Sequence, residues 1–323
     1  MKRRFLLAML AGSVVAASLP ARSQDAYPNR PVKIIVGFPA GTTTDILARI
    51  YGDKLSERLG QRFIIENQPG GASNTASAAA ARAEPDGYTL LLATNANSAS
   101  VSLYKTLRYD FPGDFAPISL LASAPPILVV SPSLGVSTVK ELIAYAKARP
   151  GEVMYGSAGV GTGPQLAAEL FNMEAGVKLT HVPYKGTNEA VSDLLTGRLS
   201  VLFAPYPSVA GFVKEGRLKA LARTTEKRSS VAPELPTIAE AAIPGFDVTL
   251  WFGLVAPKGT PAPVLKVLAD AVDTAKQSED VKRRLAASGG EPIFASLDDF
   301  AAFIRADIPK WKKAIEHAGM KIE

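Results

Sequence analysis

Short β-branched runs alternate with amphipathic stretches along most of the chain. Val32-Lys33-Ile34-Ile35-Val36, after Pro31, predicts a buried strand. Asp45 to Leu59 predicts a helix, with Ile46 and Ile50, and Leu47, Tyr51, Leu55 and Leu59, at helical spacing and Gly60 as the stop. Phe63–Ile65 and Thr89–Ala93 predict further strands, around an Ala-rich helix at Ala76 to Ala83. Thr94 to Asn97 reads as a polar loop. Strands alternating with helices imply βαβ units and a mainly parallel sheet.

A second series begins after a long apolar stretch, Ile118 to Val130, broken by Pro125-Pro126. Its strands are expected at Val153–Tyr155, Leu179–Val182, Val201–Phe203 and Leu218–Ala222, and its helices at Val139–Ala148, Pro164–Ala175 and Glu189–Leu195. Ala204 to Ser208 reads as a Pro-rich loop. Arg223 to Pro244 reads as a return connection, and Thr249 to Ala256 as one more strand. Helices at Pro261–Ala275, Val281–Ser288 and Leu297–His317 follow, the last with a Ser296/Asp299 capping box and a kink or split at Pro309. Two α/β lobes joined by two crossings are expected, with the C-terminal helices returning to the first lobe. Residues 24–124 with 248–323 form one lobe and 125–247 the other. The hinges fall near Ser123–Pro126 and Pro244–Thr249.

The N-terminus departs from this pattern. Met1-Lys2-Arg3-Arg4 is basic, Phe5 to Leu19 is mostly apolar, and Ala21-Arg22-Ser23 precedes a cut at Gln24. This is the shape of a secretory signal peptide over residues 1–23. The full chain carries 36 basic and 30 acidic residues, and four of the basic ones lie in residues 1–23. The mature chain is therefore near neutral, with 32 basic residues against 30 acidic. Its basic clusters sit at helical spacing and read as solvated faces, so no nucleic-acid partner is expected. A chain of 323 residues with 47% hydrophobic content is long enough for two cores. The absence of Cys excludes disulfides and thiolate chemistry.

Two loops carry candidate chemistry. Gly37-Phe38-Pro39-Ala40-Gly41-Thr42-Thr43-Thr44-Asp45 joins a strand to a helix that Thr42 can cap. Gly156-Ser157-Ala158-Gly159-Val160-Gly161-Thr162-Gly163-Pro164 places four glycines before a helix with Pro in its first turn. Backbone amides and a helix N-terminus at each loop favour an anion, and one loop in each series suits a small carboxylate between them. Enzyme motifs fail by contrast. Pro164 stands where a dinucleotide fingerprint needs its third glycine, and Tyr155 stands where Gly-x-Ser-x-Gly needs its first. His181 reads as a core or cleft-edge histidine, and His317 lies on a terminal helix. No catalytic residue, metal or cofactor is expected.

Taken in order, several segments resemble the solute receptors of tripartite tricarboxylate transporters, the Bug family. They are Pro39-x-Gly41 with Asp45-Ile46-x-Ala48-Arg49, Glu66-Asn67-x-Pro69-Gly70, Pro85 to Leu90, Gly156 to Thr162, Val182 to Gly186, Arg217 to Ala222, Pro236-Thr237-x-x-Glu240 and Trp251 to Pro257. The resemblance implies a type II periplasmic-binding-protein fold, α/β and two-lobed, with the ligand cleft between two α/β domains. It implies a monomeric periplasmic receptor delivering a small organic carboxylate to a membrane permease. Presenting that carboxylate to a membrane sensor is the alternative. It places one carboxylate between Phe38, Ala40, Gly41 and Thr42 on one side and Ser157, Gly161 and Thr162 on the other. Thr94, Asn95, Tyr184, Phe203 and Ala204 are expected around the distal part of the ligand. Two departures stand out: Thr42-Thr43-Thr44 where the family is richer in Gly, and Gln165-Leu166 where it usually has His-Leu.

Overall fold

A computed structural model describes residues 27–228 and 231–320. The N-terminal segment expected to direct export lies outside them. The first lobe opens with β1 (Val32–Val36), α1 (Thr43–Leu59), β2 (Phe63–Asn67), α2 (Asn74–Ala81), β3 (Thr89–Thr94), α3 (Asn95–Leu103) and β4 (Phe115–Ser123). The chain then builds β5 (Pro126–Val130), α4 (Val139–Ala148), β6 (Met154–Ser157), α5 (Gly163–Ala175), β7 (Thr180–Pro183), α6 (Thr187–Leu195), β8 (Val201–Pro205), α7 (Tyr206–Lys214), β9 (Lys219–Arg223) and the short α8 (Ile238–Ala241). It returns through β10 (Trp251–Pro257), α9 (Ala262–Gln277), α10 (Glu279–Ala287), β11 (Glu291–Pro292) and α11 (Leu297–His317).

Two sheets result, ordered β11-β4-β10-β3-β1-β2 and β7-β6-β8-β5-β9. Each is mixed rather than mainly parallel. β1, β2 and β3 run parallel, and so do β6, β7 and β8. β10 runs antiparallel to β3 and β4, and β5 antiparallel to β8 and β9. The reason is the pair of crossings. β5 and β10 enter their sheets straight from the neighbouring lobe, without the crossover helix that a parallel neighbour needs. Both therefore start at the end where the other strands finish.

The two crossings are stitched together. Ala124 N–H donates to Leu250 O (2.9 Å) and Val248 N–H to Thr224 O (2.8 Å). The buried Thr224 hydroxyl lies within hydrogen-bond distance of Pro126 O (2.9 Å) and Val248 O (2.8 Å). One side chain thus touches both connecting segments.

Three local readings change. Thr94–Asn97 is the start of α3, because the Asn97 side chain accepts from Thr94 N–H (2.9 Å) and Thr94 Oγ1 accepts from Ala96 N–H (3.2 Å). That box and burial of the whole first turn override the weak helix propensity of Asn and Ser. The segment after β8 becomes α7, with Pro207 in its first turn. α11 runs unbroken through Pro309.

α9 and α10 pack on α1, as a return to the first lobe requires. α11 reaches further. Its Phe300 and Ile304 join the apolar core around Trp251, whereas Trp311, Ala314 and Ile315 pack with Leu166, Leu170 and Phe171 of α5. Ala99 and Leu103 of α3 belong to that same second core. An apolar seam therefore joins the lobes behind the loops.

Thr224→Val removes the hydroxyl from a buried stitch and leaves carbonyls short of a donor. A loss of about 2 kcal/mol in unfolding free energy is expected, read from the urea midpoint.

Candidate functional site

The carboxyl ends of the parallel strands in both sheets lead into the two loops singled out above. The first loop is held by an internal carboxylate. Thr42 caps α1, its Oγ1 receiving Asp45 N–H at 3.5 Å and donating to Pro39 O at 2.8 Å. Asp45 is buried beneath the loop. It accepts from Gly41 N–H (2.9 Å), from Asn67 Nδ2 (2.9 Å) and twice from Arg49 (2.9 and 3.0 Å). Burial pushes the Asp45 carboxyl up, but these donors and the Arg49 charge together hold it below the usual carboxylate range. Asn67 also donates to Phe38 O (3.0 Å), fixing the front of the loop. Phe38 and Thr42 are half-buried, and Ala40 and Gly41 are exposed. The Gly41 amide is thus engaged by Asp45.

The second loop is wired through Gln165 and His181. Gln165 Oε1 accepts from Gly161 N–H (2.7 Å), which turns its Nε2 toward His181 Nδ1 (3.1 Å). An amide nitrogen only donates, so Nδ1 must accept and the neutral imidazole carries its proton on Nε2. That Nε2–H donates to Ser157 Oγ (2.6 Å), which also receives Gly159 N–H (3.1 Å) and donates to Gly159 O (3.0 Å). Thr162 Oγ1 donates to the same carbonyl (2.7 Å). The imidazole stacks on Tyr155 with ring centroids 4.9 Å apart, and the Tyr155 hydroxyl donates to Glu169. Burial lowers the His181 pKa to about 4, so the ring is neutral at physiological pH. A serine nucleophile needs a base that takes its proton. Here the histidine gives one to Ser157, so the pair holds a loop.

The loops of one lobe meet the other directly. Gly161 sits at φ +78, and a Cβ there would stand 2.8 Å from Leu103 Cδ2 and 3.3 Å from the Ala72 Cβ. A Cβ on Gly163 would stand 2.7 Å from Leu250 Cδ2 and 3.3 Å from Asn95 Nδ2. α3, the Gly71–Ser73 turn before α2 and the crossing at Leu250 thus close against the N-terminus of α5. Sequence reasoning missed Ala72, Ser73, Leu103 and Leu250, because only the packing of the lobes brings them there.

The remaining expected residues divide. Asn95 is buried at this interlobe contact, and the Thr94 hydroxyl caps α3. Tyr184 lies beside Gly156, its Cε2 3.3 Å from where a Cβ would stand, but its hydroxyl donates to Asp193 Oδ2 (2.9 Å). Burial and then Asp193 push that hydroxyl up to about 12. Phe203 and Ala204 are not brought to the loops. Both are fully buried, with the Phe203 ring against Phe171 at 5.8 Å. Helices cover both faces of β8, so alternate positions on that strand serve packing.

Two α/β lobes joined by two strand crossings, with the glycine-rich loop of one lobe against α3 and the turn before α2 of the other, define a two-lobed solute-binding protein of the periplasmic-binding-protein type. The tripartite tricarboxylate transporter family receptor matches residues 47–320, and the chain belongs to that family. It is 35% identical over 321 residues to protein BugT of Bordetella pertussis, covering 98% of each chain. An R. palustris protein solved with adipate superposes with a TM-score of 0.83 at 37% identity, over 91% of this chain and 99% of that one. MatC from Rhodopseudomonas palustris, solved with bound malate, superposes with a TM-score of 0.79 at 30% identity, over 90% and 100%.

The His181 wiring gives a pH test. The unfolded imidazole binds its proton near 6.5 and the folded one only near 4. This contribution is intact above pH 6.5 and is lost as pH falls toward 4. The urea midpoint of the wild type should therefore drop between pH 7 and pH 5 by more than that of His181→Gln. Equal drops in the two proteins would contradict the wiring.

Proposed function

We propose that the chain is a periplasmic receptor without catalysis, which captures one small carboxylate between its lobes and delivers it to a membrane permease of the tripartite tricarboxylate type. The lobes are residues 24–124 with 248–323, and residues 125–247. The observation that carries this reading is the contact of the strand-to-helix turn at Gly161 and Gly163 with Ala72, Asn95, Leu103 and Leu250, where glycine lets backbone of one lobe approach side chains of the other and of the crossing. A turn of that kind at a helix N-terminus presents partial positive charge to an anion. The ligand-binding set is Phe38, Ala40, Gly41 and Thr42 with Ser157, Gly161 and Thr162, supported by Thr94, Asn95 and Tyr184.

Family membership supports the transport role, and the adipate and malate held by two relatives support a carboxylate as the ligand class. The proton on His181 Nε2 supports binding rather than turnover, since it leaves Ser157 without a base. The basic-then-apolar run over residues 1–23 supports export. Closure follows as a population shift, because a ligand touching both lobes binds the closed form better than the open one.

The experiment is a melting series on the mature chain from Gln24 with succinate, malate, adipate and related acids. Ligand at a hundred times its dissociation constant adds about 2.7 kcal/mol, worth roughly 4 °C in a chain of this length. One acid raising the melt by that amount is the expected result. No shift across the panel would contradict the carboxylate reading.

A further inference from the structure

We propose that Ser73 is a ligand-binding residue of the cleft, acting with Asn95 as a pair of neutral donors that takes a carboxylate. This rests on the receptor reading above and adds a third chain segment to the two loops.

Most hydroxyls and amides that the site gathers are already engaged within the protein. The Gly41 amide is on Asp45 and the Gly161 amide on Gln165. The Thr42 and Thr162 hydroxyls are on the carbonyls of Pro39 and Gly159. Ser157 is satisfied by Gly159 and His181, and the Tyr184 hydroxyl by Asp193. Two side chains differ. Ser73 Oγ and Asn95 Nδ2 have no hydrogen-bond partner among the described residues, although Ser73 is 0% and Asn95 4% exposed. Buried donors of this kind are ordinarily paired, so each asks for an acceptor that the protein does not supply.

Their placement brings them to one region. Ser73 packs against the start of the first loop, where a Cβ on Gly37 would overlap its hydroxyl. Its neighbour Ala72 reaches the Cβ position of Gly161 in the other lobe, at 3.3 Å. Asn95 Nδ2 faces the first residue of α5, at 3.3 Å from the Cβ position of Gly163. Both donors thus belong to the first lobe, Ser73 beside the first loop and Asn95 at the start of α3, and both lie beside the contact with the second loop.

The backbone at Ser73 is also shaped against local satisfaction. Ala72 (φ 51, ψ 49) and Ser73 (φ 80, ψ −1) are consecutive left-handed residues, and neither is glycine. A serine heading a helix normally turns its oxygen onto the first-turn amides. Ser73 heads α2 without making that bond. Its hydroxyl is held away from the helix and remains a donor for something else. Both groups can donate and neither is charged. Arg49 is engaged by Asp45, so the fitting ligand group is an acceptor held without a cation, which describes a carboxylate bound by hydrogen bonds.

The test uses the mature chain with succinate, malate and adipate, measured by calorimetry, in the wild type and in Ser73→Ala and Ser73→Gly. Ser73→Gly keeps the fold accessible, because glycine adopts φ +80 without strain. The expected result is that the wild type binds at least one acid. Both Ser73 variants should then bind it about ten- to a hundredfold more weakly, as for loss of a hydrogen bond to a charged group. The unliganded melting temperature should not fall in either variant, because each removes a buried hydroxyl without a partner among the described residues. Affinities within twofold of wild type in both Ser73 variants, with the wild type binding at least one acid, would overturn the role of Ser73 and leave the receptor reading standing. No binding of any of the three acids by the wild type would overturn both.

Discussion

Two glycines set the distance at which the lobes meet. A side chain on Gly161 would run into Leu103 and Ala72, and one on Gly163 into Leu250. Backbone therefore takes part in the interlobe contact, and the N-terminus of α5 arrives at α3 and at the turn before α2. Everything else positions that meeting. The paired crossings, stitched by Thr224, join the two lobes. The apolar seam through α11 and α5 fixes the rear of the interface. A clamp built this way depends on small contacts at the front and extensive packing behind, which suits an interface that opens and closes.

The two loops meet the same demand by different chemistry. The first is shaped around a buried carboxylate, Asp45, whose four donors leave the loop rigid before any ligand arrives. The second is shaped around a neutral imidazole, whose proton position is dictated by the Gln165 amide. Serine and histidine at 2.6 Å would invite a catalytic reading on distance alone. The direction of each hydrogen bond decides against it. Gln165 is thus the residue that sets the tautomer of His181.

Much of this was legible in the sequence. α1 announces itself by periodicity, by Thr42 at its head and by Gly60 at its end, where φ is +70. The paired loops were legible as strand–glycine–helix junctions, one per series. The misreadings share a cause. Thr94–Asn97 looks like a polar loop because Thr and Asn are weak helix formers, yet tertiary burial and a capping box make it the start of α3. Phe203 and Ala204, which the resemblance implies around the distal part of the ligand, are fully buried in the structure. Ser73 carries no sequence signal, because its left-handed backbone and unpaired hydroxyl come from packing against Gly37. The antiparallel entry of β5 and β10 follows from where the chain crosses, which hydrophobic periodicity does not record.

The central claim is that a carboxylate bridges the two lobes and draws them together. Small-angle X-ray scattering on the mature chain tests it most directly, with and without the acid that raises its melting temperature most. The radius of gyration should fall on saturation, at one acid per chain. Stoichiometric binding with an unchanged radius and scattering envelope would contradict it.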